Sequence, residues 1–280
     1  MIRTLFTSVN LLGDTLVQTP ALRIYKQQHP QEEIHWLVQD QPHTREVCTG
    51  MVEAGVVDRL MFEIDWDILL KTNYEGYDRV HRMNVEELWR HRRNNGHMSQ
   101  AFGSVIGVEI PDDQILPIVP VPALDSRYEV SKNTLVVSPL SFSKITSKDA
   151  GADGEKSISW ECWQGLIDRF IQSGRVDKCV MLMAPNDEDP PLDIQVLRLP
   201  LGQALAYTKA SSENGGAYAG VENGFTHAAA GLKLPTFCVH PKAPDPGWAS
   251  YHKFQHYRVA VTECPKNNVE QIWSCWKDRL

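Results

Sequence analysis

Much is missing from this sequence, and each absence narrows what the chain can be. No apolar run approaches the roughly 18 residues that a membrane-spanning helix needs. The six cysteines, at 48, 162, 179, 238, 264 and 275, form no CxxC pair, so neither a zinc ribbon nor a disulfide scaffold is indicated. Reduced thiols in a cytoplasm are expected instead. HExxH is absent, and the His and Cys positions lack close metal-ligand spacing. There is no excess of positive charge: 28 Lys and Arg face 35 Asp and Glu, a formal charge of -7. A net-negative chain is a poor general binder of nucleic acid or anionic membrane. Solenoid repeats and low-complexity segments are also missing. The first residues, Met1 to Ser8, are too short and polar for a signal peptide and are expected to form a strand.

What is present describes a globular protein of one or two domains. Of the 280 residues 42% are hydrophobic and 22% charged, enough apolar material for a substantial core. A β-prone run from Arg3 to Asn10 leads to Gly13-Asp14 and a periodic apolar segment containing Leu16, Val17, Ala21, Leu22 and Tyr25. Pro20 within that segment implies a helix starting near it or kinked at it. Glu33 to Val38 reads as a strand, Thr44 to Ala54 as a helix and Val56 to Phe62 as a strand. Such alternation means a mostly parallel sheet covered by helices. Three prolines between residues 117 and 122 cannot lie in a helix or central strand. The linker is placed there, dividing the chain into residues 1–122 and 123–280.

A second α/β series follows. Asn133 to Pro139 is a strand, Ser159 to Gln172 a helix, Lys178 to Met183 a strand and Gly202 to Lys209 a short helix. Tyr218 to Val221 is a strand, Thr226 to Gly231 a helix, Pro235 to Val239 a strand and Val269 to Leu280 a closing helix. Two α/β domains joined by a short linker are expected to have a cleft between them, the default ligand site.

Three segments carry possible chemistry. In Gly13-Asp14 the glycine allows a tight turn after the strand and the acid sits at a helix N-terminus, where the dipole favours a carboxylate. It either accepts a proton from a substrate hydroxyl or simply caps the helix. In Gly220-Val221-Glu222-Asn223-Gly224-Phe225-Thr226-His227, helix-start amides attract phosphate and Glu222 holds sugar hydroxyls. The alternative is an Asn223 cap with His227 packed beside the turn. Lys156, after the polar loop from Ser141 to Glu155, either neutralises a diphosphate or is a solvated surface lysine.

Together these segments resemble glycosyltransferase family 9, the bacterial heptosyltransferases of lipopolysaccharide core synthesis. The family's opening is similar to G-D-x-L-x-x-T-P-A-L-R, matched here at Gly13, Asp14, Leu16, Thr19, Pro20, Ala21, Leu22 and Arg23. Its second signature, D-[ST]-G-x-[ST]-H-x-A-A, corresponds to Glu222, Asn223, Gly224, Thr226, His227, Ala229 and Ala230. The Pro235 strand and Pro246-Gly247-Trp248 also resemble the family's ending. Glu222 and Asn223 depart from the family's acid and hydroxyl residue, and Lys156-Ser157-Ile158-Ser159 departs from K-x-W-P.

The resemblance implies a GT-B fold, two Rossmann-like α/β domains whose parallel sheets face a central cleft. It implies an inverting, metal-independent transfer from a nucleotide-diphosphate sugar to a lipopolysaccharide-type glycan or lipid-linked acceptor, in the cytoplasm and without a cofactor. Asp14 matches the general base, Lys156 and Ser141 the contacts to donor phosphates, and Asp187 the acid on the nucleotide ribose. Glu222, Asn223, Gly224, Thr226 and His227 match the donor-sugar and diphosphate segment. Arg90, Arg92 and Arg93, with Lys71, Arg79 and Arg82 nearby in sequence, form either a solvated helix face or a patch for acceptor phosphates. Other acceptors, a modified DNA base or a protein, fit the same fold, as does a nucleotide-sugar-binding protein without turnover. Asp65-Trp66-Asp67 has the form of a metal-binding D-x-D, but acids ahead of a helix commonly cap it.

Overall fold

The computed structural model describes residues 1–8, 12–71, 73–83, 96–139, 158–183, 187–240, 250–261 and 269–277. It divides into two compact units, one holding Met1–Val121, the other Pro122–Asp245 and Tyr251–Leu280.

The first unit is built on β1 (Arg3–Ser8), β2 (Glu33–Gln39), β3 (Arg59–Glu63) and β4 (Arg79–Met83). They form a parallel sheet in the order β3-β2-β1-β4. Leu5, Phe6, Ile34, Trp36 and Val38 are fully buried, as expected of central parallel strands covered on both faces. The helices are α1 (Leu12–Gln28), α2 (Pro42–Cys48), α3 (Trp66–Lys71) and α4 (Met98–Ile106). α2 hands over at Cys48 to a 3-10 turn, Thr49–Met51, rather than running on to Ala54 as expected.

Helix α1 runs unbroken through Pro20. A proline leaves the carbonyl four residues earlier without its N–H partner, here that of Leu16. The hydroxyl of Thr19 takes over, donating to the Leu16 carbonyl at 2.7 Å. The same oxygen accepts the N–H of Ile118 at 2.8 Å, so one side chain repairs the helix and fastens the proline-rich segment to it. Arg23 adds a hydrogen bond to the Gln114 carbonyl at 3.2 Å. Buried residues run all round α1, from Thr15 to Leu22, because it packs against α4 on one side and, through Tyr25 on Phe6 and Gln18 on Ser8, against the sheet on another.

The second unit carries β5 (Thr134–Ser138), β6 (Lys178–Met183), β7 (Gln195–Arg198), β8 (Ala217–Val221), β9 (Thr236–His240) and β10 (Tyr257–Val261). All pair in parallel, in the order β10-β9-β8-β5-β6-β7. Its helices are α5 (Trp160–Gln172), α6 (Leu201–Glu213), α7 (Gly224–Gly231) and α8 (Val269–Trp276). Leu135, Val137, Met181, Ala219, Val221, Phe237 and Val239 share one core cluster with Trp163, Leu166, Phe170, Ile272 and Trp276 of α5 and α8. Burial of each large apolar side chain contributes about 1.5–3 kcal/mol. Gly165 permits the α5–α8 crossing, since a Cβ there would meet Val269 Cγ2 at 2.7 Å. The chain entering this unit is pinned by Gln203 of α6, which accepts from the Asp125 N–H at 2.8 Å and donates to the Ala123 carbonyl at 3.1 Å.

Three edge strands, β4, β7 and β10, and helix α4 are absent from the sequence expectations, whereas α3 is the helical run expected at Asp65-Trp66-Asp67. Among the described residues no helix is long and apolar enough to cross a membrane.

Candidate functional site

In a parallel α/β sheet, ligands bind outside the carboxyl ends of the strands, where the chain's winding reverses direction. Each unit has one such point. In the first, the strand order places it between β1 and β4; in the second, between β5 and β8.

Asp14 stands at the first of these points. It is half-exposed and lies in the first turn of α1, the helix that follows β1. Gly13 and Leu12 are already helical, so the glycine does not make the turn expected of it; the connection itself, residues 9–11, lies outside the described residues. Gln18, one turn on, shares a helix face with Asp14 by the i,i+4 rule. It is fully buried. Ser8 at the end of β1 donates its hydroxyl to Gln18 Oε1. The Gln18 amide donates to the Met83 carbonyl at the end of β4 at 3.4 Å. Trp36 Nε1 of β2 donates to Ser8 Oγ at 2.7 Å. This network ties α1 to the ends of β1 and β4, with β2 joined through Trp36, and so fixes where the helix start lies. Sequence reasoning missed it, because Gln18 and Met83 are far apart in the chain.

The second unit gathers its polar groups at the β5–β8 point. Ser138 ends β5, Glu222 follows β8, and Asn223 Nδ2 reaches Ser138 Oγ at 3.4 Å across the gap between them. Asn223 is also the N-cap of α7, its Oδ1 accepting the Thr226 N–H at 2.8 Å. One helix-start amide is therefore already occupied, and the capping role considered from sequence is real. Thr226 turns inward, donating to the Val221 carbonyl at 2.6 Å and lying 3.0 Å from Tyr218 Oη. Burial raises the Tyr218 hydroxyl well above its ordinary range. Gly220 is required here: a Cβ at that position would collide with the Tyr218 ring and hydroxyl.

His227 is buried, with Nε2 3.2 Å from Glu222 Oε1 and Nδ1 3.1 Å from Tyr251 Oη. Asp187 lies four residues beyond β6, the strand beside β5 in the sheet, and is half-exposed. The carboxyl ends of three adjacent strands, β6, β5 and β8, thus lead into Asp187, Ser138 and the Glu222–His227 segment. Ser138 and Tyr251 are additions to the set read from sequence. Ser138 could have been found as the polar residue closing an apolar strand; Tyr251 carried no signal.

Ser141, Lys156, Arg90, Arg92, Arg93 and Pro246-Gly247-Trp248 lie outside the described residues. Three neighbours of the basic cluster are placed: Arg79 and Arg82 lie in strand β4, and Lys71 ends helix α3. Arg79 begins β4 and pairs with the buried Glu32 at 2.6 Å, while Lys71 pairs with Asp67 at 2.7 Å. Asp65 accepts the Asp67 N–H at 2.8 Å. The D-x-D acids are therefore engaged in capping and ion pairing. Among the described residues no three His, Cys, Asp or Glu side chains gather as a metal site would.

Solved structures share this fold. The crystal structure of the glycosyl transferase family 9 from Veillonella parvula aligns with 100% of this chain and 90% of its own, at TM-score 0.67 and 15% identity. E. coli ADP-heptose LPS heptosyltransferase II covers 100% of this chain and 96% of its own, at TM-score 0.63 and 16% identity. E. coli heptosyltransferase WaaC with ADP covers 93% of each, at TM-score 0.58 and 13% identity. No family model matches the sequence, and no curated protein matches it either. The α/β architecture of two Rossmann-like parallel sheets expected from sequence is the fold of these structures.

Proposed function

We propose that this chain is a glycosyltransferase that moves a sugar from a nucleotide-diphosphate donor to an acceptor hydroxyl, inverting the anomeric centre and using no metal. One observation carries the reading. In a fold shared along its whole length with a family 9 glycosyltransferase, Asp14 and the Glu222–His227 segment, which match motifs of that family, stand at the two carboxyl-edge switch points.

In this reading Asp14 takes the proton from the acceptor hydroxyl. The oxygen attacks the anomeric carbon from the face opposite the diphosphate, and the carbon–oxygen bond to phosphate breaks with its electron pair leaving on the diphosphate. Positioned proton transfer of this kind contributes about 10²–10⁴-fold to rate. Lys156 and the remaining amides at the start of α7 offset the charge of the leaving diphosphate. Ser141 contributes to the phosphate loop, Asp187 holds the ribose hydroxyls and Glu222 the sugar hydroxyls. Arg90, Arg92 and Arg93 bind acceptor phosphates. The fold relatives name ADP, ADP-heptose and lipopolysaccharide, so an adenosine donor carrying heptose or a hexose and a lipopolysaccharide-type acceptor are the first candidates.

Thermal shift against ADP, UDP, GDP, CDP and dTDP tests the donor half. A ligand at about 100 times its Kd adds about 2.7 kcal/mol. A selective shift supports the reading, and no shift with any of the five refutes it. Asp14→Asn tests the chemistry: it should keep the ligand-induced shift and lower turnover by about 10²–10⁴-fold. Near-normal turnover removes Asp14 from the base role.

A further inference from the structure

The donor segment contains a chain of three polar groups that its own sequence does not reveal. Glu222 follows β8, His227 is in the second turn of α7, and Tyr251 comes from a 3-10 turn, Ser250–Lys253, well downstream. His227 Nε2 lies 3.2 Å from Glu222 Oε1 and Nδ1 lies 3.1 Å from Tyr251 Oη. Both ring nitrogens are therefore engaged, one on each side, so the imidazole cannot turn without losing a buried hydrogen bond. The Tyr251 side chain is itself held: it is fully buried, and its ring packs edge-on against Tyr257 at 5.3 Å and against His227 at 5.6 Å. Burial, with the nearby Glu222 charge, raises the Tyr251 hydroxyl well above its ordinary range, so it remains an O–H able to donate to Nδ1. With Tyr251 donating to Nδ1, the ring proton sits on Nε2, facing Glu222. The Glu222 side chain is 12% exposed and that of His227 only 3%. Of the three groups in the chain only the acid is part-exposed, and the imidazole behind it occupies one of its roughly four acceptor positions.

We propose that Tyr251 is a positioning residue for Glu222, acting through His227, and that this chain aims the carboxylate at the hydroxyls of the transferred sugar. The inference rests on the donor reading above and adds to it the part of the donor that the chain senses: the sugar, and not the nucleotide or diphosphate. A glutamate is one methylene longer than an aspartate and has one more torsion to fix, and the imidazole fixes it.

Tyr251→Phe keeps the ring packing and removes only the hydroxyl. The test is calorimetric binding to wild type and variant of five pairs of probes: ADP and ADP-glucose, UDP and UDP-glucose, GDP and GDP-mannose, CDP and CDP-glucose, dTDP and dTDP-glucose. The expected result is a Kd for the selected diphosphate unchanged within about twofold and a Kd for its sugar conjugate raised about tenfold, the loss of one charge-assisted hydrogen bond. In a Glu222→Gln background the same substitution should then add less than about twofold. Equal weakening of diphosphate and conjugate, or no weakening of either, overturns the proposal, as does a full tenfold effect in the Glu222→Gln background. Failure of the wild type to bind any of the ten probes is a different result, because it overturns the donor reading itself. The ¹⁵N shifts of His227 supply a readout that needs no ligand: the Nε2-protonated form in wild type, and a mixture of tautomers in Tyr251→Phe. Identical spectra overturn the proposed hold.

Discussion

Thr19→Val is the sharpest test of how the first unit is put together. Valine matches threonine in shape, so the change deletes one hydroxyl and creates no cavity. The loss is two hydrogen bonds at once, the buried 2.7 Å bond to the Leu16 carbonyl and the part-buried 2.8 Å bond from the Ile118 N–H. Neither backbone group has an evident substitute, since Pro20 has no N–H to return to Leu16. Leaving a buried donor or acceptor unpaired costs about 1–3 kcal/mol, so the pair together should cost about 2–5 kcal/mol. In a chain of this size that lowers Tm by roughly 2–4 °C per kcal/mol. Thr19→Ser, which keeps the oxygen and drops a methyl, should cost only about 1 kcal/mol. The decisive comparison adds Pro20→Ala. Alanine restores an N–H four residues after Leu16, so Thr19→Val in that background should cost about 1–2 kcal/mol less than it does beside proline. Urea denaturation gives all four values, and amide exchange at Ile118 reports its bond separately. A Thr19→Val loss below about 0.5 kcal/mol, or an equal loss in both backgrounds, refutes the argument that threonine repairs what proline breaks.

Further outcomes follow from other sites. Gly220→Ala should destabilise by about 1–3 kcal/mol, the usual range for overpacking, and Tyr218→Phe in the same chain should not rescue it fully, because the ring as well as the hydroxyl stands in the way. Glu32 is almost wholly buried; burial alone would raise its carboxyl, but hydrogen bonds from Thr4 and Tyr25 and the charge of Arg79 outweigh this and hold it below its ordinary 4.5. Its unfolded form therefore takes up a proton first as pH falls, so the stability it confers is present above pH 4.5 and is lost as pH drops through the folded value. Glu32→Gln should flatten the acid limb of a Tm–pH curve, and an unchanged limb would remove this group from acid unfolding. Lys156→Ala should weaken nucleoside-diphosphate binding by about tenfold or more, as loss of a charge partner does; unchanged calorimetric affinity would count against a phosphate contact.

Most of the strands legible in the sequence lie inside the sheets with a neighbour on each side, although β3, at an edge, is also expected, as Val56 to Phe62. β1, β2, β5, β6, β8 and β9 read as nearly continuous apolar runs, and each was expected within a residue or two of its bounds. The missed strands, β4, β7 and β10, all lie at sheet edges, where one side is unpaired and charged residues are tolerated. Arg79-Val80-His81-Arg82-Met83 of β4 shows this: its first arginine reaches out to Glu32 instead of packing, and the alternation disguises the strand. Helix α4 was passed over for another local reason. Its N-cap is a histidine, His97, whose Nδ1 accepts the Ser99 N–H at 3.1 Å, although Gly107 in the left-handed region at its end marked the stop. In the site, the residues near each other in sequence were legible and the ones that hold them were not. Asp14 and Glu222 announce themselves by following strands; Met83 and Tyr251 are brought to Gln18 and His227 only by the fold.

The motif residues also divide by task, and the division changes what the resemblance argues. Of the opening motif, Thr19 repairs α1, Leu16, Ala21 and Leu22 are buried outright, and Arg23 holds the Gln114 carbonyl. Of the second, Asn223 caps α7, Thr226 ties the helix start to Val221 and Tyr218, and Ala229 and Ala230 pack without exposure. Most of the matched positions therefore build the seat of a helix at a switch point, and a chain can keep them for the fold alone. In the proposed function the chemistry falls to the few side chains that the seats present, Asp14 in one unit and Glu222 in the other. Asp14 is the family's residue and Glu222 is not. The choice of sugar is thus expected to differ at Glu222 while proton removal is retained at Asp14. Glu222→Asp is the experiment that separates the two: it shortens the side chain by one methylene, releases His227, and should change which sugar conjugate binds tightest without changing which nucleoside diphosphate does.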